Sequence, residues 1–243
     1  LSFSRRGKIY LPLRLEYFLF YLLLSFLVFS WILFYGSIFR IILDLPGWVI
    51  LLIIEASLLG SLVNIPVSYV KSYQPIIRAR IVKVFFIEWV VPEIDWEEHK
   101  TLIAVNLGGC IIPVLLSVYL IARYTILFGP LVLAKIILAV IINSLLINQV
   151  ARPVPGIGIA TPTFLPPLFT LLTCAFLQPI LAPIDFYASL YITGSLGALI
   201  GADLMNLKKI PYLGAPVASI GGAGTFDGIF LTGLFAVWLA LIL

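Results

Sequence analysis

Two carboxylates, Asp203 and Asp227, sit at the edges of apolar stretches that otherwise carry almost no charge: GSLGALIGADLMNL holds the first and GGAGTFDGIFLTG the second. An ionised carboxylate at the edge of a bilayer costs free energy unless something compensates it, so such an acid marks a functional site by default. Two acids on consecutive helices that meet can share one proton, because repulsion raises one pKa while the other stays low. One carboxylate then takes a proton from water and its protonated partner protonates the leaving amine, which is the equipment for peptide hydrolysis. The same acids also suit a carrier that binds a proton, sodium or a small solute. The plain structural alternative is that Asp203 ends its loop and Asp227 is an acid favoured by the dipole at a helix start.

The polar residues that could surround these acids gather at one depth. Asn64 (GSLVNIP), Asn106 (NLGGCIIP), Arg152 and Thr161 (ARPVPGIGIATP), Asn206 (GADLMN), and Gly222, Gly224 and Thr225 (GGAGTFD) all fall at the same end of their apolar segments. These eight are the predicted cavity-lining or substrate-binding residues, with Asp203 and Asp227 as the predicted catalytic pair. Each has a duller reading. Asn64 and Asn106 can cap helix ends or bond between helices, and Arg152 can snorkel to phosphate. Glu55 and Lys135, farther from that end, read as an ion pair holding the bundle.

What must position these residues is a set of membrane-spanning helices. Of 243 residues, 62% are hydrophobic and only 11% charged, where a soluble domain carries about a quarter charged. The mean hydropathy is +1.17. The apolar runs are far longer than the ~10 residues of a barrel strand, so an all-α polytopic membrane protein is predicted, forming a single transmembrane domain over 1–243. Seven segments are long enough to span, near 17–39, 47–66, 102–122, 127–148, 161–181, 184–205 and 226–243. TPTFLPP and Gln178-Pro179 predict a kinked or broken fifth helix. The stretch NLKKIPYLGAPVASIGGAG is long enough to re-enter the membrane near the inner leaflet.

Lysine and arginine set the orientation. With the N-terminus cytoplasmic, Arg5, Arg6, Lys8, Arg14, Lys71, Arg78, Arg80, Lys83, Lys100, Arg152, Lys208 and Lys209 lie inside, twelve of the fifteen basic residues. Arg40 and Arg123 alone lie outside. A multi-pass protein of the cell membrane, N-terminus in, is the expectation, and the pI of 9.1 is then a topological signal rather than one for nucleic acid.

The longest connection, 67–101, carries IIRARIVKVFFIEWVV, whose alternation predicts a short strand or hairpin near the headgroups. It reads either as a basic loop on anionic lipid or as a strand edge that captures an extended peptide. PEIDWEEHK is predicted to be a loop entering the third helix, with Asp95 as its cap.

Other chemistry is excluded by counts. His99 is the one histidine and sits in the acidic loop EIDWEEHK, so neither a histidine ligand shell nor a serine–histidine triad is expected. Cys110 and Cys174 lie apart in apolar runs and read as buried hydrophobes. No metal and no cofactor is predicted.

The runs GAPVASIGGAGTFDGIFLTG, IGADLMNL, GSLVNIP, NLGGCIIP and ARPVPGIGIATP resemble a family of uncharacterised prokaryotic integral-membrane proteins across nearly the whole chain. A second resemblance is to the GxGD intramembrane aspartyl proteases, the presenilin, signal-peptide-peptidase and prepilin-peptidase group. These place one aspartate on a descending helix six and the other in Gly-x-Gly-Asp at the start of rising helix seven. That resemblance implies Asp203 and Asp227 as the catalytic pair and a transmembrane peptide as substrate. Here Phe226 precedes Asp227, so Gly224 alone of the two motif glycines is matched. An aspartyl protease of the membrane is the leading expectation, an ion-coupled carrier the alternative, and a non-catalytic scaffold the third.

Overall fold

The structure, a computed structural model, describes residues 21, 23, 24, 26, 45–84, 86–154, 158–222 and 228–243. Leu1–Leu52 and Ile53–Leu243 form two compact units. The expected first span lies outside the described residues, apart from Tyr21, Leu23, Leu24 and Phe26, which are helical.

Among the described residues from 45 onward six α-helices follow in chain order: α1 (Gly47–Gly60), α2 (Ile112–Phe128), α3 (Leu131–Val150), α4 (Leu165–Leu181), α5 (Phe186–Ala198) and α6 (Gly228–Ile242). Each overlaps one of the six remaining predicted spans. Among the described residues three helical stretches are long and apolar enough to cross a membrane: Leu107–Phe128, Leu131–Val150 and Phe186–Tyr212. The first joins a π-helical turn (Leu107–Ile111) to α2. The last joins α5 to a π turn (Leu199–Asp203) and a 3₁₀ stretch (Leu204–Tyr212). Local chemistry explains the starts. Asp185 caps α5 by accepting from the amides of Tyr187 (3.0 Å) and Ala188 (3.1 Å), and two prolines open α4, where their missing N–H groups cost nothing. The predicted break at Pro179 is not seen: α4 runs unbroken, because this proline falls in its last turn.

The helices approach one another through glycine. A Cβ on Gly194 of α5 would lie 2.9 Å from Gly233 Cα of α6, so these two backbones touch directly, as small residues allow in membrane bundles.

The largest departure from the expected fold is β structure. The predicted short hairpin is a ribbon of two strands, β1 (Asn64–Val84) and β2 (Ile87–Asn106), paired antiparallel from Asn64↔Asn106 to Val84↔Ile87 with one register shift between Pro66 and Ser68. Asp95 therefore caps no helix; it pairs with Ile76. Exposed ion pairs cross the ribbon, Lys71–Glu98 at 2.8 Å and Arg80–Glu93 at 3.2 Å; Glu98 raises the Lys71 pKa above its ordinary value. The strand β5 (Val217–Ile220) runs parallel to β2 at Leu102–Val105 and ends the sheet, and β3 (Arg152–Val154) pairs antiparallel with β4 (Gly158–Ala160). At the base of the ribbon Val70 and Ile103 pack on Ile210, Leu213, Ala215 and Ala218. Thr101, fully buried, donates to the Ala215 carbonyl at 2.7 Å.

Candidate functional site

The α5 helix changes pitch where it reaches its acid. The π turn over Leu199–Asp203 and the 3₁₀ stretch after it break the regular i→i−4 bonding, and irregular turns of this kind recur at functional sites. Side-chain amides cover the carbonyls that the change of pitch exposes. Asn148 of α3 donates to Gly201 O at 2.9 Å. Asn206 donates to Gly201 O at 3.2 Å and to Ala202 O at 2.8 Å. Gly201 itself lies against α3: a Cβ there would overlap the Ser144 carbonyl and stand 3.0 Å from Ser144 Cα. Asp203 is thus held on a turn clamped from both sides.

Its carboxylate meets the segment after β5. Asp203 Oδ2 accepts from the Gly221 amide at 3.0 Å. Gly221 has φ +85° and Gly222 φ +110°, backbone that glycine adopts freely. Gly221 also packs against Cys110, 2.8 Å from its nitrogen for an added Cβ, so the turn is wedged between the acid and the π turn that precedes α2.

Beside Asp203 is a cavity of about 270 Å³. Its walls come from α3 (Ile147), the stretch through β4 into α4 (Ile159, Ala160, Thr161, Thr163, Pro166), α5 and its π turn (Ala198, Ala202, Asp203) and the start of α6 (Gly228, Ile229, Leu231, Thr232). Asp203 and three threonines share this lining with aliphatic residues. Polar groups converging beside apolar ones are the usual make-up of a ligand site. Among the described residues no group of three or more His, Cys, Asp or Glu side chains could hold a metal ion.

The residues singled out from sequence divide into several places. Asp203 and Thr161 line this cavity. Asp227, Gly224 and Thr225 lie outside the described residues; Gly228, which follows Asp227 in the chain, is on the cavity wall. Gly222 sits in the turn after β5, its amide donating to Ser219 O at 3.4 Å. Asn206 is fully buried behind the acid as a carbonyl cap, and its Oδ1 has no hydrogen-bond partner among the described residues. Arg152 is exposed on β3, paired in register with Ala160.

Asn64 and Asn106 belong to a separate network at the root of the ribbon. Asn106 donates to Ser61 O (2.7 Å) and Asn64 Oδ1 (3.1 Å) and accepts from the Gly109 amide (2.7 Å). Ser219 donates to the same Asn64 oxygen at 2.6 Å. This network ties α1, the ribbon, the π turn and β5 together. Lys135 donates to Ala182 O at 2.6 Å, a carbonyl at a helix end, where the expected partner was Glu55.

Three contributors escaped the sequence reading: Thr163 and Thr232 on the cavity wall and Asn148 behind it. Asn148 carried a signal, since with Gln149 it ends its apolar segment at the same depth as Asp203; single threonines in apolar helices carry none.

A family model described as "Protein of unknown function (DUF1614)" matches residues 58–239. Comparison with curated proteins and with solved structures finds no match.

Proposed function

The chain belongs to the DUF1614 family, whose description assigns no activity, and we propose that it is an intramembrane aspartyl hydrolase that uses Asp203 and Asp227 on a peptide held within the bilayer. The observation that carries this reading is the composition of one cavity: Asp203 stands on its wall, and so does Gly228, the chain neighbour of Asp227. The resemblance of the sequence to the GxGD proteases supplies the roles. In the proposed reaction the two carboxyl groups hold one proton between them. Water adds its oxygen to the scissile carbonyl carbon, giving one proton to the ionised carboxylate while the protonated carboxyl passes its own to the carbonyl oxygen. The C–N bond of the resulting gem-diol then breaks, a proton passes to the departing nitrogen, and the pair returns to its singly protonated state.

Several features support this assignment. Thr161, Thr163 and Thr232 offer hydrogen bonds to water or to a substrate backbone, and the aliphatic walls accept apolar side chains. The end strand β5 runs directly into Gly221, the amide bound to Asp203, so an extended substrate segment added to the outer edge of β5 arrives at the acid. A seven-span arrangement with the N-terminus inside, proposed from the bias of lysine and arginine, puts the cavity near the inner leaflet.

The test is cleavage of a transmembrane reporter peptide by the full chain in liposomes. Asp203→Asn and Asp227→Asn are each expected to lower the rate by at least about 10³-fold with Tm unchanged, and robust cleavage by either purified variant removes the proposal. The carrier reading draws on one observation, a single described carboxylate beside three threonines on one cavity wall, which suits a compact cation. Sodium or proton flux into the same liposomes, abolished by Asp203→Asn, with no cleavage of the reporter, selects it instead.

A further inference from the structure

Three consecutive residues, Ile159, Ala160 and Thr161, line the cavity beside Asp203. Successive side chains of an extended strand point to opposite faces, so three in a row reach one cavity only where the strand stands edge-on to it. The side chain of Ile159 agrees, because it packs on Ile210, Leu213, Ala215 and Ala218 at the base of the ribbon. Among the described residues none of β3 is on the cavity wall, so the cavity lies along the edge of β4 that faces away from β3.

The register says which backbone groups that edge carries. The two strands pair as Arg152↔Ala160, Pro153↔Ile159 and Val154↔Gly158. In an antiparallel pair, rungs that exchange both hydrogen bonds alternate with rungs that exchange none. Pro153 has no N–H to give, so its rung is the non-bonded one, and the N–H and C=O of Ile159 point away from β3. Among the described residues β3 and β4 form a sheet of their own, and neither of these two groups finds a hydrogen-bond partner there. Gly158 leaves the approach open: a Cβ added to it, at φ +132°, would meet no described atom within 4 Å. A glycine at such a place lets another backbone come close.

A donor and an acceptor on one residue, at the edge of a partly apolar cavity, restrict what can bind. A hydrocarbon tail satisfies neither. A bare cation takes the carbonyl and is repelled by the N–H. An extended peptide offers an N–H and a C=O to the same side at every second residue, and so satisfies both.

We propose that the free edge of β4 at Ile159 is a backbone clamp, which holds an extended peptide in the Asp203 cavity by strand addition. The identity of that peptide as substrate rests on the hydrolase reading above. The strand β5 then guides the chain to the acid, and β4 grips it inside the cavity. Because the clamp reads main chain, it selects an unwound segment over a helix, whose interior amides are already paired.

The test is the affinity of the full chain in mild detergent for a short fluorescent peptide of alternating valine and threonine. Anisotropy reads it in an Asp227→Asn background, which the hydrolase reading makes inactive. Ile159→Pro removes the outward N–H at an edge position where β3 needs none, and is expected to weaken binding by at least about tenfold. An amide-to-ester replacement at 159 removes the same N–H without the proline ring, and gives the same readout where the proline variant fails to fold. Ile159→Ala keeps the N–H, so its loss is expected to be smaller than that of the ester. No saturable binding with Ile159 in place, full affinity in the ester variant, or a loss in Ile159→Ala as large as in the ester overturns the proposal. Clamp and chemistry fail separately. Binding that depends on the 159 N–H, with no cleavage of the transmembrane reporter by wild type, keeps the clamp and removes the hydrolase. Cleavage with an unchanged KM in Ile159→Pro removes the clamp alone.

Discussion

Replacing Gly201 with alanine puts the clamp around Asp203 to a quantitative test. The added Cβ overlaps the Ser144 carbonyl oxygen and stands 3.0 Å from Ser144 Cα and 3.1 Å from Ile147 Cβ. Carbon atoms prefer about 3.5–4.0 Å, so α3 must move away from the π turn by roughly 0.5–1 Å. The atoms struck are chiefly backbone, which cannot swing aside as a side-chain tip does. Overpacking of this kind costs about 1–3 kcal/mol, and the same movement stretches the Asn148–Gly201 bond of 2.9 Å, adding about 1 kcal/mol. A total of about 2–4 kcal/mol lowers Tm by roughly 5–15 °C in a chain of this size. Gly228→Ala is the matched control, since among the described residues an added Cβ meets Thr161 Oγ1 at an ordinary 3.7 Å; a change within about 0.5 kcal/mol is expected. Thermal unfolding in a single detergent, followed by intrinsic fluorescence, reads both. Equal Tm values for wild type and Gly201→Ala, or an equal loss in both variants, would refute the claim that α3 and the turn bearing the acid are in backbone contact.

Two further substitutions probe the ribbon. Asn106→Leu removes two donated bonds and one accepted bond from a fully buried amide, leaving Ser61 O and the Gly109 amide without that partner. A loss of about 3 kcal/mol is expected, read as a lower Tm together with faster proteolysis of the 64–106 segment. Glu93→Gln breaks an ion pair whose side chains are more than half exposed, so Tm should move by no more than about 2 °C; a larger shift means the pair supports packing that the exposed geometry does not suggest.

Composition and periodicity reach far with this chain, and then stop for identifiable reasons. The apolar runs anticipated six helices because a bilayer leaves few other ways to satisfy the backbone. They misjudged where the third predicted span begins. The run LIAV within TLIAVNLGG is apolar, and a short apolar run reads equally as strand or helix until its partner is known. Its partner is Asn64–Val70, more than thirty residues away, and that long-range pairing turns 102–106 into strand. The same blindness shortened the ribbon, since EIDWEEHK looks like solvated loop until Arg80 and Lys71 are placed across from its acids. At the site, depth alone grouped Asn64 and Asn106 with Asp203, but depth does not fix azimuth. The helices turn Asp203 and Thr161 into one cavity and leave the two asparagines at the root of the ribbon. The pitch change at Leu199–Asp203 was invisible because it depends on Asn148 reaching across from α3.

The central claim is that Asp203 and Asp227 share a proton, and infrared titration of the protonated-carboxyl band in lipid addresses it most directly. Groups coupled by more than about one pH unit titrate as a pair in two steps. In wild type two steps are therefore expected. In Asp203→Asn and in Asp227→Asn a single step should remain, more than about one pH unit below the upper wild-type step, because a neutral partner no longer repels the charge. If each aspartate titrates at the same pH whether or not the other is present, the two do not meet, and the hydrolytic mechanism is wrong.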